Sequence, residues 1–125
     1  MIFHNYIIIG AGPGGIQLGY FLNKKNRDYI ILEKNEKAGS FFEKYPIHKK
    51  LISTNKVHTN SNDDDYNLRF DWNSLLCDDY SKFNFTHYTK DFYPHSKYLV
   101  KYLNDYVDRY NIKIKYDTFV KNINK

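Results

Sequence analysis

The chain has 125 residues, a length typical of one domain, and it is basic, with 19 lysines and arginines against 14 aspartates and glutamates. The basic residues are scattered, with the densest pairs at Lys24–Lys25 and Lys49–Lys50, so the net charge of +5 favours a solvated surface over a nucleic-acid or membrane-binding patch. A single cysteine, Cys77, excludes an internal disulfide and a Cys-x-x-Cys redox pair.

The apolar runs are all shorter than a bilayer requires, so no membrane span is predicted. The first predicted strand begins so close to Met1 that no signal peptide is expected. These patterns favour a cytoplasmic protein, or one of the endoplasmic-reticulum lumen if the natural N-terminus lies further upstream.

A short strand signal followed by a glycine-rich turn opens the chain. The run Asn5–Ile9 is rich in β-branched residues and predicts a parallel strand covered on both faces. Gly10, Gly12 and Gly15 then match G-x-G-x-x-G, in which the first glycine permits a tight turn, the second lets the backbone approach a pyrophosphate, and the third lets a helix pack close to the strand. That helix is predicted over Pro13–Lys24, with its N-terminus towards the phosphates.

The residues that follow complete a βαβ pattern. The predicted inner face of the helix consists of Ile16, Leu18, Phe21 and Leu22, with Gly19 allowing close packing. A second strand is predicted over Asp28–Leu32 and ends at Glu33, 18 residues after Gly15, near the spacing expected for an acid that binds an adenosine ribose. A carboxylate there repels a 2′-phosphate and favours FAD or NAD over NADP. The alternative is a glycine turn without nucleotide beside an exposed Glu33.

The later chain has one clear helix. His95–Tyr110 carries apolar residues at helical spacing after Pro94, with Ser96 available as a cap. Ile112–Tyr116 alternates as a strand, and Thr118–Ile123 is interpreted as one more short strand. The three carboxylates Asp63–Asp65 are interpreted as a solvated acidic loop and not as a metal site, so no metal ligands are predicted.

Further stretches of the chain resemble a known family. They are Gly10–Gly15, Tyr20–Leu22, Arg27–Tyr29, Gly39–Phe42, Tyr45–Pro46, Lys49–Ser53, Asn55–Lys56, Asn67–Arg69, Asp71–Leu76, Phe92–Pro94 and Tyr102–Leu103. Together they resemble the N-terminal part of FAD-dependent oxidoreductases related to flavin-containing monooxygenases, and within them the endoplasmic-reticulum flavoproteins associated with degradation. The likeness extends over essentially the whole chain, and Asp71–Leu76 is more specific than the glycine fingerprint.

This resemblance implies an α/β, Rossmann-like FAD/NAD(P)-binding fold with a parallel β-sheet, incomplete and forming one N-terminal FAD-binding domain over residues 1–125. The family's Gly-Gly-x-Trp-like segment takes the form Gly39–Phe42 here, without the second glycine and the tryptophan. The residues implied to bind FAD are Gly10, Gly12, Pro13, Gly14, Gly15, Glu33, Lys34, Ser40 and Phe41.

A Thr-Asn pair stands beside the flavin ring in the related monooxygenases, and Thr54–Asn55 matches it. The resemblance therefore implies Asn55 as a catalytic candidate. The alternative, weighed about equally, is that Asn55 only caps or turns the backbone.

All six glycines lie at or before residue 39, so this chain contains no second fingerprint for a nicotinamide nucleotide. NAD(P)H use is therefore expected only if a second domain is supplied, by a second chain or by a missing C-terminal domain. Two functions remain open: the FAD-binding part of an NAD(P)H-linked flavin oxidoreductase or monooxygenase-like protein, and a catalytically inactive, truncated dinucleotide-binding or protein-interaction module.

Overall fold

The computed structural model describes residues 2–125, which divide into two compact units. The first unit extends to Ser40 and resumes at Leu103, and the second covers Phe41–Tyr102. The elements in chain order are β1 (Tyr6–Ile9), α1 (Pro13–Lys24), β2 (Tyr29–Leu32), α2 (Phe41–Lys44), α3 (Asp64–Phe70), α4 (Ser96–Arg109) and β3 (Ile114–Lys115).

The first unit contains a three-stranded parallel sheet in the order β1-β2-β3. β1 and β2 pair over four residues, from Tyr6 opposite Tyr29 to Ile9 opposite Leu32. The crossover through α1 makes this a βαβ unit, which confirms the predicted Rossmann-like class and the predicted bounds of α1. β3 is shorter than predicted, and the strand predicted over Thr118–Ile123 is wrong, since that segment has no regular structure.

The prediction that β1 is covered on both faces is wrong for this chain. β1 lies at an edge of the sheet, and Tyr6, Ile7 and Ile9 are 50%, 59% and 56% exposed. The hydrophobic pattern of β1 is that of an interior strand. Within residues 2–125, however, only β2 pairs with β1, and only one face of β1 is packed.

The inner face of α1 is rotated from the predicted one. Ile16 and Tyr20 are buried, whereas Leu18 and Phe21 are 48% and 40% exposed. Because positions four residues apart share one helix face, burying Ile16 selects Tyr20 and turns Leu18 outward. The predicted close packing at Gly19 is confirmed, since a Cβ there would lie 3.0 Å from Ile112 Cγ2.

Helix α4 confirms the predicted helix within one residue at each end. Its buried apolar residues are Leu99, Val100, Tyr102, Leu103, Tyr106 and Val107. The predicted cap, Ser96, is instead the first helical residue, and the preceding His95 accepts a 3.0 Å hydrogen bond at Nδ1 from the main-chain N–H of Lys97. The imidazole thus satisfies a donor that a serine hydroxyl was expected to satisfy.

The acidic stretch predicted as a loop forms the start of α3. Asp63 Oδ1 accepts hydrogen bonds from the main-chain N–H groups of Asp65 and Tyr66, at 3.0 and 3.3 Å. Asp64 and Asp65 occupy the first turn, where negative charge stabilises the helix dipole. No helix within residues 2–125 is long and apolar enough to cross a membrane.

Candidate functional site

The glycine turn joins β1 to α1 through two backbone constraints. Gly10 has φ of +97°, a conformation that side-chain-bearing residues rarely adopt, and its N–H donates a 2.8 Å hydrogen bond to Leu32 O on β2. A Cβ at Gly15 would lie 2.2 Å from Gly10 O, so only glycine fits there. The first and third glycines of the fingerprint therefore have the turn and close-packing roles that their spacing predicts.

The N-terminus of α1 is open at this turn. Gly12 is the N-cap, and among the described residues no side chain caps the helix and no acidic residue lies in its first turn. A Cβ built at Gly12 or Gly14 meets no atom of the described chain within 4 Å. The first N–H groups of a helix have no partner within the helix and favour an anion, and the open space beside Gly12 and Gly14 leaves room for a phosphate group.

Glu33 is buried beside the turn, with 6% of its surface exposed, so the alternative of a merely exposed glutamate is wrong. Its Oε2 accepts a 2.8 Å hydrogen bond from the main-chain N–H of Ala11, between the first two glycines. Its Oε1 accepts bonds from the main-chain N–H and side-chain Nδ2 of Asn35, at 2.9 and 3.3 Å. The carboxylate therefore holds the glycine turn to the end of β2, and its oxygens retain acceptor capacity.

The loop after Glu33 is fastened beside the turn at several points. The Gly39 N–H donates a 2.9 Å hydrogen bond to Ala11 O. Asn104 on α4 accepts from the Ala38 N–H at 3.1 Å and donates to Ala38 O at 2.9 Å. Asn35 Nδ2 also donates to Ser40 Oγ at 2.8 Å, which brings Ser40 into the same hydrogen-bonded group as Glu33.

The structure thus brings most of the predicted cofactor-binding residues together in the first unit. Those connected to the turn are Gly10, Gly12, Pro13, Gly14, Gly15, Glu33 and Ser40. Lys34 is exposed on the same loop. Sequence reasoning missed Asn35 and Asn104. Asn35 follows the acid by two residues, a spacing that permits a local side-chain contact, whereas Asn104 lies 66 residues from its partner and gives no local signal.

Two other predicted residues belong to the second unit. Phe41 is 62% exposed at the start of α2, with its ring centroid 5.2 Å from those of Phe42 and Tyr45. Asn55 is 1% exposed: its Oδ1 accepts from the Val57 N–H at 3.3 Å and its Nδ2 donates to Thr89 O at 2.6 Å. The capping role is therefore present, and the catalytic role of Asn55 stays a prediction.

The distinctive stretch beginning at Asp71 forms a buried polar network in the second unit. Asp71 accepts hydrogen bonds from Ser74 Oγ at 2.5 Å and from the Tyr80 hydroxyl at 3.0 Å, as well as from two main-chain N–H groups of its own turn. Burial, together with the Asp71 charge, raises the pKa of Tyr80. Burial also raises the pKa of Tyr102, whose hydroxyl accepts from the Leu75 N–H at 2.8 Å. These contacts give the stretch a structural role.

A groove of about 660 Å³ also lies within the second unit. Its apolar walls are Leu51, Ile52, Phe92 and Tyr93, with His48, Lys50 and Asp91 at its edge. None of the predicted cofactor-binding residues lines it. Across residues 2–125, no group of three or more His, Cys, Asp or Glu side chains is placed to hold a metal ion.

The βαβ unit with a glycine turn and a buried acid defines a Rossmann-like dinucleotide-binding fold. The chain belongs to the pyridine nucleotide-disulphide oxidoreductase family, whose pattern matches residues 7–125. It is 42% identical over 119 residues to mouse FAD-dependent oxidoreductase domain-containing protein 2 and 46% identical over 120 residues to the zebrafish protein of the same name. Those matches cover 95% and 96% of this chain but only 18% and 17% of the relatives, so the chain spans less than a fifth of their length.

Solved flavoprotein structures share the fold. Bacillithiol disulfide reductase from Staphylococcus aureus aligns with a TM-score of 0.67 at 20% identity, over 94% of this chain and 29% of that protein. A flavin-containing monooxygenase from Stenotrophomonas maltophilia aligns with a TM-score of 0.65 at 20% identity, over 92% of this chain and 28% of that protein. These similarities confirm the predicted Rossmann-like flavoprotein fold and its partial extent.

Proposed function

We propose that this chain is the N-terminal, FAD-binding part of a flavin-dependent NAD(P)H oxidoreductase of the monooxygenase-like group. The observation that carries the proposal is the buried Glu33 carboxylate, held 2.8 Å from the Ala11 N–H at the mouth of the glycine turn. A carboxylate at this position, beside an uncapped helix N-terminus, supports ribose binding by Glu33 and pyrophosphate binding at the start of α1. The family and the names of the relatives support flavin as the ligand.

The residues present fit the adenosine half of FAD. The Gly14 and Gly15 N–H groups at the start of α1 would face the pyrophosphate, and the open space at Gly12 and Gly14 leaves room for it. Glu33 would accept from the ribose while Asn35 and Ala11 keep the carboxylate oriented. When bound, FAD supplies the redox chemistry, and the protein supplies position and electrostatics.

Reconstitution with FAD tests the proposal. After purification and gel filtration we expect a flavin absorbance spectrum to travel with the chain, and micromolar retention corresponds to about 8 kcal/mol of binding free energy. Anaerobic addition of NADH or NADPH then tests reduction. Bleaching would show that the chain completes a redox-competent site, whereas bound but unbleached flavin would place hydride delivery in another domain.

The second candidate function is an inactive dinucleotide-binding or protein-interaction module. It is favoured by the position of all six glycines at or before residue 39, which leaves one fingerprint for one dinucleotide. Failure of both FAD and ADP to bind in titration calorimetry would contradict the FAD proposal and favour the interaction module. ADP binding without FAD retention would instead assign the chain the adenosine half of the site alone.

The catalytic hypothesis for Asn55 needs a test that separates chemistry from capping. Asn55→Asp retains an oxygen for the Val57 N–H but loses the donor to Thr89 O. If the amide acts only as a cap and cross-link, Asn55→Asp should lower thermal stability without changing the spectrum of bound flavin. A shifted flavin spectrum at unchanged stability would support a place beside the ring.

A further inference from the structure

The distinctive stretch beginning at Asp71 exposes one large aromatic side chain. Trp72, the only tryptophan of the chain, is 78% exposed, whereas its neighbours Asp71 and Asn73 are buried. Tryptophan side chains are usually covered by other residues, because their rings have a large apolar surface. The hydrogen bonds around Asp71 explain how the turn is held, but they do not explain why the indole of Trp72 faces solvent.

The turn that carries Trp72 is fixed on both sides. The Asp71 N–H donates a 3.3 Å hydrogen bond to Leu68 O of α3, and Asp71 Oδ1 accepts one from the Asn73 N–H at 3.1 Å. The Asn73 side chain donates a 3.1 Å hydrogen bond from Nδ2 to Ser53 O. Because the main chain on either side of the indole is held in this way, a partner that covers Trp72 has little backbone freedom to remove.

Two further aromatic rings precede this turn on α3. Tyr66 and Phe70 are one helical turn apart, both are exposed, and their ring centroids lie 5.2 Å from each other. Phe70 precedes Trp72 by two residues, and two residues of chain span at most about 7 Å. Phe70 and Trp72 therefore occupy neighbouring positions on the surface of the second unit. Tyr66, Phe70 and Trp72 are called the aromatic group below.

The same part of the chain is acidic. Residues 61–79 contain six aspartates and one arginine, a net charge of −5 within a chain whose net charge is +5. Asp64 and Asp65 are exposed in the first turn of α3. Burial raises the pKa of Tyr80, and the charges of Asp71 and Asp64 raise it further, which indicates that the Asp64 carboxylate lies near the Asp71 turn. The aromatic group therefore lies in a region of negative charge.

This charge selects among the partners that an exposed aromatic surface could bind. Nucleic acids and membranes with anionic lipids carry negative charge and are repelled by the aspartates. Arginine is attracted by carboxylates, and its planar guanidinium also stacks on the face of an indole ring. Arginine, tryptophan and tyrosine are also the residue types that contribute most often to binding at protein interfaces. The combination of rings and carboxylates thus fits a basic polypeptide.

We propose that the aromatic group and the adjacent aspartates Asp64 and Asp65 form a docking surface for a basic, arginine-containing polypeptide segment. An arginine side chain of the partner covers the indole of Trp72, and apolar side chains of the same segment cover Phe70. The aspartates attract further basic side chains and orient the segment. None of the residues proposed to bind FAD belongs to this surface, so the docking function does not rest on the FAD proposal.

Tryptophan fluorescence tests the proposal, because the emission of the single tryptophan reports this surface alone. The probe is a short synthetic peptide in which arginine and leucine alternate, and the comparison peptide has glutamate in place of arginine. We expect the arginine peptide to shift the emission of the whole chain to shorter wavelength, and to bind more weakly as salt is added. The glutamate peptide should leave the emission unchanged.

Substitutions separate the contribution of the ring from that of the charges. In titration calorimetry, Trp72→Ala should weaken binding of the arginine peptide roughly 30-fold, the scale of an aromatic residue at the centre of an interface. Asp64→Asn with Asp65→Asn should weaken binding about threefold to tenfold at low salt, and the remaining affinity should depend less on salt. Trp72→Ala should leave the melting temperature nearly unchanged, because the ring is exposed.

The matched control is Phe119→Ala, at an aromatic residue of the first unit that is 67% exposed. It removes a ring of similar exposure from a different surface, so the arginine peptide should bind with wild-type affinity. Equal weakening by Phe119→Ala and Trp72→Ala would contradict a defined docking surface.

Four other results would overturn the proposal. No response to the arginine peptide, or equal binding of the arginine and glutamate peptides, would exclude a surface that selects basic segments. A sedimentation mass of two copies, which Trp72→Ala returns to one, would identify a second copy of this chain as the occupant. An emission shift with phosphatidylcholine vesicles but not with the arginine peptide would identify a lipid surface. Since no measurement requires flavin, failure here is distinguishable from failure of the FAD proposal.

Discussion

The main-chain N–H of Ala11 donates a 2.8 Å hydrogen bond to the buried Oε2 of Glu33, 22 residues further along the chain. This bond joins the glycine turn, which we propose binds the pyrophosphate, to the residue predicted to bind the ribose. Glu33 therefore stabilises the fold of the turn and is also the proposed ribose ligand, so its effects on folding and on binding have to be measured separately.

Substituting Glu33 should weaken both nucleotide binding and folding. Glu33→Ala removes a charged acceptor, so ADP affinity should fall by about 1.5 to 3 kcal/mol, roughly 10- to 150-fold, by titration calorimetry. The Ala11 and Asn35 N–H groups lose their acceptor too, and urea unfolding should show a loss of about 1 to 3 kcal/mol.

Two further variants separate these effects. Glu33→Gln retains one oxygen acceptor and should be intermediate in stability, while Glu36→Ala on the exposed part of the same loop should affect neither measurement. Unchanged ADP affinity in a folded Glu33→Ala protein would refute the ribose role.

Alanine substitutions in the glycine turn should separate folding from binding. Gly15→Ala places a methyl group 2.2 Å from Gly10 O and should lower the free energy of unfolding by about 1 to 3 kcal/mol, the scale of overpacking. At Gly14 the methyl group meets no atom of the described chain, so Gly14→Ala should be neutral or stabilising by up to about 1 kcal/mol. It should nevertheless weaken ADP about tenfold or more, that is by about 1.4 kcal/mol, by filling phosphate space. Unimpaired ADP binding by Gly14→Ala would place the anion elsewhere.

Removing the Asn104 side chain should loosen the loop after Glu33. Asn104→Ala loses both hydrogen bonds to Ala38, with an expected cost of about 1 to 3 kcal/mol in the free energy of unfolding. Limited trypsin digestion should then cleave faster after Lys34 and Lys37. Asp108→Asn, on an exposed position of the same helix, is the control. Cleavage at the wild-type rate would show that Gly39 and Asn35 suffice to hold the loop.

Stability should fall steeply in alkaline solution. Burial raises the pKa of Tyr102 and of Tyr80, so above pH about 10 the unfolded chain loses protons that the folded chain retains. Their stabilising contribution is complete below the unfolded pKa and is lost as pH rises towards the folded one, by about 1.4 kcal/mol per pH unit for each such tyrosine. Burial lowers the pKa of Lys56. Its contribution to stability therefore changes in the opposite sense, increasing as the pH rises towards about 10.5.

Urea titrations between pH 9 and pH 12, read with tyrosinate absorbance, check this prediction. Tyr102→Phe should have a shallower decline than the wild type, and Tyr66→Phe, at a residue 48% exposed, should match the wild type. Identical slopes in all three proteins would contradict the assignment to buried tyrosines.

Local sequence patterns predicted the parts of the site that depend on short spacing. The G-x-G-x-x-G fingerprint predicted the turn at Gly10 and the close approach at Gly15, because both are properties of a few consecutive residues. The contact of Asn104 with Ala38 depended on distant packing that no periodicity encodes. The cap that His95 provides for the Lys97 N–H depended on a ring orientation that the sequence pattern does not encode either.

The sequence alone determined the βαβ unit, the fingerprint and the acid, since strand, turn, helix and spacing are set by local propensity and by a fixed number of residues. Only the tertiary structure decided that Glu33 is buried on Ala11, that Asn55 is engaged as a cap, and that β1 lies at a bare edge. Burial and pairing depend on which segments meet in space. An Ile-rich strand has the same sequence pattern whether or not its neighbouring strand is present.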